Sequence, residues 1–82
     1  SKNKITLSPE MNVDKILEGL KEKYANEKVT DIDGVKIDFE RGWVHLRKSN
    51  TEPIIRIYSE AKDEAAANAL AEEVIQVAQN IR

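Results

Sequence analysis

The segment Trp43-Val44-His45-Leu46-Arg47-Lys48-Ser49-Asn50-Thr51-Glu52-Pro53-Ile54-Ile55-Arg56-Ile57-Tyr58-Ser59-Glu60-Ala61 decides the fold. Both of its ends alternate between apolar and polar side chains, a period of two that is typical of β-strands. The residues between them, Ser49 to Pro53, are common turn formers. We therefore predict a β-hairpin whose strands are residues 43–48 and 54–61.

Burial of one face of this hairpin fixes its register. Val44 and Leu46 must lie on the same side of the sheet as Ile55 and Ile57 if the two strands are to share a core. The antiparallel register that meets this condition predicts three cross-strand pairs: Leu46 with Ile57, Val44 with Ser59, and Arg47 with Arg56.

Two arginines that lie directly opposite each other repel by several tenths of a kcal/mol to about one kcal/mol. A shared anion would explain such a pair, because the guanidinium group binds oxyanions through two parallel hydrogen bonds. Ser49 and Thr51 add hydroxyl groups, and loop N–H groups can form a concave anion site. The hairpin loop is therefore a candidate phosphate site between Arg47 and Arg56.

Two plainer explanations remain open for the same residues. Glu52 or Glu60 could neutralise the arginines, since ion pairs between exposed side chains are common. The segment Ser49 to Pro53 could also be an ordinary polar turn, chosen only for its backbone conformation.

Two amphipathic helices are predicted on either side of the strands. Asn12 and Asp63 are their expected N-caps. Apolar residues at intervals of three and four form one buried stripe on each helix. The first stripe contains Val13, Ile16, Leu17, Leu20 and Tyr24, and the second contains Ala67, Leu70, Ala71, Val74, Ile75, Ala78 and Ile81.

Two further strands are predicted between the first helix and the hairpin. Val29 and Ile32 mark a short one, Asp33-Gly34 is a turn signal, and residues 35–39 alternate again. The chain is thus predicted to be an α+β domain with a four-stranded antiparallel sheet and two helices on one face. Lys4–Ser8 could form an additional short edge strand.

Composition excludes several classes of protein. The 82 residues fit one domain, and the absence of cysteine excludes disulfides and thiolate metal sites. A net charge of −2 argues against a nucleic-acid binder, and no apolar run is long enough to cross a bilayer. We expect a soluble, cytoplasmic protein. The missing initiator Met suggests a piece of a longer chain, although processing or an expression scar would give the same absence.

No catalytic or metal-binding residue is predicted. His45 is the single histidine and has no carboxylate at a readable spacing, so we expect it to be structural. Asp31 and Asp33 could share a face as metal ligands, but a turn at Asp33-Gly34 explains them better. Cys/His pairs and glycine-rich nucleotide loops are absent from the sequence.

The ordered motifs resemble the C-terminal domain of the α-D-phosphohexomutases. The resemblance is carried by R-K-S-N-T-E-P at residues 47–53, by Arg56, by D-G-V at 33–35 and by Gly42-Trp43. It implies the element order β-α-β-β-β-β-α, similar to the TATA-box-binding protein. Asn50 resembles the phosphomannomutase/phosphoglucomutase branch, whereas phosphoglucosamine mutases usually have Gly there.

This resemblance also implies domain boundaries and roles. Residues 1–11 would be a linker with the short edge strand, and 12–82 the phosphate-binding domain. The residues expected to hold the non-reacting phosphate of the substrate are Arg47, Ser49, Asn50 and Thr51, with Lys48 and Arg56 in support.

For the parent enzyme the resemblance implies exchange of a phosphoryl group between O1 and O6 of a hexose. Mg²⁺, a hexose 1,6-bisphosphate, a hexose phosphate substrate and three further domains would take part. No cofactor is expected on this segment, which should be inactive alone. We expect it to move as a lid about a hinge at Ser8-Pro9.

Two functions other than that of a phosphate-binding lid remain open for this domain. The open sheet face could bind RNA or a peptide, with Trp43 and Tyr58 available for stacking. The aromatic patch formed by Trp43, His45 and Tyr58 could instead be the interface of a structural interaction domain.

Overall fold

The computed structural model describes residues 2–81. Within this range the chain forms five strands and two helices, which confirms the α+β class. The elements are β1 (Lys2–Thr6), α1 (Val13–Lys23), β2 (Lys28–Thr30), β3 (Val35–Phe39), β4 (Gly42–Lys48), β5 (Ile54–Ala61) and α2 (Glu64–Gln79).

The sheet has five strands in the order β1-β5-β4-β3-β2, and every neighbouring pair is antiparallel. The sheet contains the four predicted strands and a fifth, β1, which is the edge strand left open near Lys4–Ser8 and pairs with β5 from Lys2 opposite Tyr58 to Thr6 opposite Ile54. Two features explain the extra strand. Ile5 is buried in the core, and β1 covers backbone groups of β5 that an edge strand would expose.

The position of β1 also corrects the predicted hinge. Ser8 and Pro9 lie between β1 and α1, both of which belong to the same packed unit. The N–H of Leu7 donates to the carbonyl oxygen of Pro53 at 2.8 Å, which fixes the chain just before this point. β1 therefore packs as part of the sheet on the N-terminal side of Ser8-Pro9.

The register of the central hairpin is confirmed. Leu46 is opposite Ile57, Val44 is opposite Ser59, and Arg47 is opposite Arg56. Leu46 and Ile57 are fully buried, whereas the two arginines are exposed. Because successive side chains of a strand point to opposite faces, both arginines leave the sheet on the face away from the core.

Both helices pack on the other face of the sheet and close one core. The Oδ1 atom of Asn12 accepts a hydrogen bond from the N–H of Lys15 at 3.1 Å, and Asp63 Oδ1 accepts one from Ala66 at 2.8 Å. These contacts confirm the two predicted N-caps. Neither helix within residues 2–81 has the length and apolar character needed to cross a bilayer.

The connection between β2 and β3 differs from the prediction in one detail. Ile32 was expected in a strand, but β2 ends at Thr30 and Ile32 is 80% exposed. The reversal that follows it has positive φ at Asp33 (57°) and Gly34 (97°), so Ile32 belongs to the turn. The same turn contains Asp33, which pairs with Arg47 of the candidate site.

Candidate functional site

The hairpin loop between β4 and β5 is closed by backbone hydrogen bonds. The N–H of Ser49 donates to the carbonyl oxygen of Ile54 at 3.1 Å, and the N–H of Ile54 donates to that of Glu52 at 2.8 Å. Pro53 accepts the bond from Leu7 described above. The loop is therefore tied at its neck and to the end of β1, although its residues are largely exposed.

The Ser49 hydroxyl organises the interior of this loop. Its Oγ accepts hydrogen bonds from the N–H groups of Thr51 and Glu52, each at 3.2 Å, and lies 3.4 Å from Thr51 Oγ1. Hydroxyl-to-backbone bonds of this kind stabilise tight turns. Two N–H donors and two hydroxyl groups consequently lie together at the tip of the hairpin.

Arg47 and Arg56 stand at the two roots of the loop, and each has its own carboxylate. Arg47 Nη2 lies 3.0 Å from Asp33 Oδ2 and 3.3 Å from Asp33 Oδ1. Arg56 Nη2 lies 3.3 Å from Glu52 Oε1. The alternative of an acidic neighbour is therefore correct for Arg56 and Glu52. Arg47 is also paired with a carboxylate, but the carboxylate is that of Asp33, which was predicted only as a turn residue.

These ion pairs weaken the electrostatic reason for expecting an anion between the two arginines. Opposed arginines no longer require a shared guest, because two carboxylates already offset their repulsion. All four side chains are exposed, however, with 49% exposure for Arg47 and 48% for Arg56. Exposed pairs contribute only about 0–1 kcal/mol each. Each of these contacts is made by Nη2, which is one of the three nitrogens of a guanidinium with five N–H donors.

A cavity of about 220 Å³ opens beside the loop, between the β2–β3 turn and the start of α1. Two cations and two carboxylates lie among its lining residues, which are Asp14, Leu17, Asp33, Gly34, Arg47, Lys48 and Asn50. Lys48 Nζ is 3.7 Å from Asp14 Oδ1. Larger cavities of about 290, 390 and 610 Å³ lie elsewhere and contain none of the predicted site residues.

The structure thus gathers the predicted residues into one small region. Arg47, Lys48 and Asn50 share the cavity, while Ser49 and Thr51 form the hydrogen-bonded tip of the loop. Arg56 is opposite Arg47 but is not part of the cavity lining. Asp33 is the residue that sequence reasoning missed. The pairing of Val35 with Leu46 could have revealed it, because this register brings the preceding turn beside Arg47.

His45 has a structural partner in the same turn. Its Nε2 lies 2.9 Å from the carbonyl oxygen of Asp33, to which a protonated ring nitrogen donates. His45 is also opposite Tyr58, as predicted, and Lys36 Nζ lies 5.1 Å from the ring centre of Trp43. The aromatic patch is thus partly covered by a cation on the neighbouring strand.

Asp31 and Asp33 do not act as a pair. Asp31 Oδ2 accepts a hydrogen bond from Lys21 Nζ at 3.0 Å, and this bond lowers the pKa of the Asp31 carboxyl. Among residues 2–81, no three side chains of His, Asp or Glu cluster as metal ligands. The Mg²⁺ ion that the resemblance implies for a parent enzyme therefore has no matching ligand set in this part of the chain.

Comparisons with known proteins agree with these features. The sequence profile described as "Phosphoglucomutase/phosphomannomutase, C-terminal domain" matches residues 5–77. A phosphoglucosamine/phosphogalactosamine mutase of Sulfurisphaera tokodaii is 45% identical over 78 residues, which are 93% of this chain and 17% of that protein. A phosphoglucomutase/phosphomannomutase of Thermococcus kodakarensis is 60% identical over 40 residues, 49% of this chain and 9% of that protein.

A third relative, a phosphomannomutase of Methanocaldococcus jannaschii, is 39% identical over 59 residues, 72% of this chain and 13% of that protein. The chain thus spans only a small part of the length of the curated relatives it matches. The matched profile covers the sheet from Ile5 onward, both helices up to Val77, and the whole hairpin loop. The chain belongs to the family of phosphoglucomutase/phosphomannomutase C-terminal domains.

Proposed function

We propose that this domain binds the phosphate group of a hexose phosphate within a phosphohexomutase. The parent enzyme would interconvert hexose 1-phosphate and hexose 6-phosphate. One observation carries the proposal: two opposed arginines flank a loop whose tip presents the hydroxyl groups of Ser49 and Thr51. Family membership agrees with it.

A phosphate at this loop would find donors of several kinds. Arg47 and Arg56 offer planar guanidinium groups on the same face of the sheet, and Ser49 and Thr51 offer hydroxyl groups. The exposed amide of Asn50 lies between them in sequence. Lys48 adds charge at the edge of the cavity. Charge-assisted hydrogen bonds are about twice as strong as neutral ones, so the arginines should dominate.

Such a clamp would serve a reaction at the other end of the sugar. Binding energy from a phosphate that does not react can orient the group that does, and domain closure can exclude water. We place the reacting groups and the Mg²⁺ outside this domain. Closure would move β1 through α2 as one body, because β1 is hydrogen-bonded to β5.

The preference for a particular hexose rests on fewer observations than the phosphate site does. The names of the relatives include mutases for glucosamine phosphate and for mannose or glucose phosphate. Asn50 is the residue on which we base a preference for the phosphomannomutase/phosphoglucomutase branch. Mannose 6-phosphate and glucose 6-phosphate are therefore the first ligands to test, with glucosamine 6-phosphate as the comparison.

The test is a titration of the isotopically labelled 82-residue chain, monitored by NMR. We expect millimolar hexose phosphate to shift amides of the loop at residues 47–53. A short oligoribonucleotide should leave both faces of the sheet unchanged. Shifts centred on Trp43 and Tyr58 after addition of RNA, with none at the loop after hexose phosphate, would instead support the alternative of a sheet-face binding module.

A substitution sharpens this test. Arg47→Ala should weaken hexose phosphate binding by the parent enzyme at least tenfold, about 1.4 kcal/mol. Arg41→Ala is the matched control, because Arg41 is also exposed and paired with a carboxylate, that of Glu73 at 2.9 Å. Equal affinity in the two variants would remove Arg47 from the site.

A further inference from the structure

Two carboxylates already contact the guanidiniums that a phosphate would bind. Asp33 places both of its oxygens within 3.3 Å of Arg47 Nη2, and Glu52 Oε1 lies 3.3 Å from Arg56 Nη2. The two acidic residues come from different places, the β2–β3 turn and the hairpin loop. Each guanidinium therefore holds an oxyanion of the protein itself.

We infer that Asp33 and Glu52 are internal competitors for the phosphate and set the affinity of the site. This inference rests on the proposed function, because it concerns the same arginines. A carboxylate and a phosphate accept the same hydrogen bonds from a guanidinium. An incoming phosphate must therefore displace the two carboxylates or share the arginines with them against their negative charge.

The exchange is feasible because neither carboxylate is buried. The side chains of Asp33 and Glu52 are 67% and 54% exposed, so each can return to water when it is displaced. An exposed ion pair contributes little to stability, whereas a phosphate monoester brings close to two charges. The carboxylates would thus lower affinity without closing the site.

The backbone around both acidic residues is held independently of their carboxylates. The carbonyl oxygen of Asp33 accepts a hydrogen bond from His45 Nε2 at 2.9 Å, and the N–H of Glu52 donates to Ser49 Oγ at 3.2 Å. Asp33 has φ of 57°, a conformation that Asn also tolerates. Asp33→Asn and Glu52→Gln should consequently remove the competing charge and retain the geometry of the loop and turn.

The experiment compares three single variants of the 82-residue chain with the unmodified chain. Asp33→Asn and Glu52→Gln remove the competitors. Asp31→Asn is the matched control. It removes the same charge at a position two residues before Asp33, and the Asp31 carboxylate pairs with Lys21 and not with an arginine of the site. Dissociation constants are measured by NMR titration at about 0.15 M ionic strength, where the Debye length is about 8 Å.

Asp33→Asn and Glu52→Gln should each tighten binding of glucose 6-phosphate by about 1.5-fold to fivefold, and Asp31→Asn by less. Inorganic phosphate should show the same factors, because the competition is for the phosphate group and not for the sugar. Binding that is equal to the control or weaker, or a gain confined to the sugar phosphate, would overturn the inference.

Failure of the inference differs from failure of the proposed function. If the unmodified chain shows loop shifts with hexose phosphate but Asp33→Asn binds no tighter than Asp31→Asn, the site stands and the competition is refuted. If neither the unmodified chain nor any variant shows loop shifts, the proposed function itself is wrong and the inference fails with it.

Discussion

Arg47 and Arg56 lie directly opposite each other on β4 and β5, yet each guanidinium is paired with a carboxylate of its own. The pairing removes the electrostatic need for a shared anion that the register alone suggested. It leaves both arginines exposed, on one face, and with further N–H groups able to donate. A bound phosphate would therefore share the two guanidiniums with these carboxylates or displace them, and would not enter an empty positive site.

Removal of the Ser49 hydroxyl should loosen the loop. In Ser49→Ala the N–H groups of Thr51 and Glu52 lose their shared acceptor. Each such bond contributes on the order of 1 kcal/mol, so hydrogen exchange of these two amides should become several-fold faster. Hexose phosphate binding should weaken as well. Ser49→Thr keeps the hydroxyl and is the control. Unchanged exchange in Ser49→Ala would show that the hydroxyl does not hold the loop.

A side chain at Gly34 should strain the turn beneath Arg47. Gly34 has φ of 97°, and a Cβ atom there would clash with the carbonyl oxygen of Leu46 and lie 3.1 Å from Arg47 Cγ. Gly34→Ala should lower the free energy of unfolding by about 1–3 kcal/mol, measured by urea denaturation with Trp43 fluorescence. It should also weaken phosphate binding, because Arg47 must shift.

Gly19→Ala is the matched control for that substitution. Gly19 lies within α1 and has no positive φ, and its added Cβ would meet the side chain of Ile81, at 2.8 Å from Cδ1 and 2.9 Å from Cγ2. Ile81 must then shift, but the gain in helix propensity, up to about 1 kcal/mol, offsets part of that cost, so Gly19→Ala should destabilise the domain less than Gly34→Ala. A loss in Gly19→Ala as large as that in Gly34→Ala would contradict the role given to the turn.

The ion pair between Lys21 and Asp31 predicts a pH dependence. The hydrogen bond from Lys21 lowers the pKa of Asp31 below its ordinary value of 3.8. Because the folded pKa is the lower one, this contribution to stability is present above pH 3.8 and is lost as pH falls through the folded pKa. Lys21→Gln should raise the pKa of Asp31 toward the ordinary value, as measured by NMR titration of its Cγ resonance.

Lys23→Gln is the control for the titration. It removes the same charge from the last turn of α1, but the ion pair of Asp31 is with Lys21. An equal change in the pKa of Asp31 in both variants would show that general charge, and not the hydrogen bond, lowers it.

The hairpin could be predicted from sequence because burial of one face limits its register. Moving the pairing by one residue would expose Leu46 and bury Arg47, which a shared core does not allow. Asn12 and Asp63 could be predicted as caps for a similarly local reason, since an N-cap side chain bonds an N–H three residues on.

Features that depend on distant contacts were harder to predict. β1 has a weak alternation of its own and is stabilised by β5, a strand much later in the chain. The apolar side chain of Ile32 suggested a strand, but the turn leaves it exposed. The pairing of Asp33 with Arg47 requires the β3–β4 register as well as the turn conformation, and no spacing within the sequence reveals it.

The most direct measurement follows the Nε–Hε resonances of Arg47 and Arg56 while glucose 6-phosphate is added to the isotopically labelled chain. Our account predicts that both resonances shift with one common midpoint, because a single phosphate engages both guanidiniums, while that of Arg41 stays in place. Stationary Arg47 and Arg56 resonances at saturating ligand, or shifts of the same size at Arg41, would contradict the account.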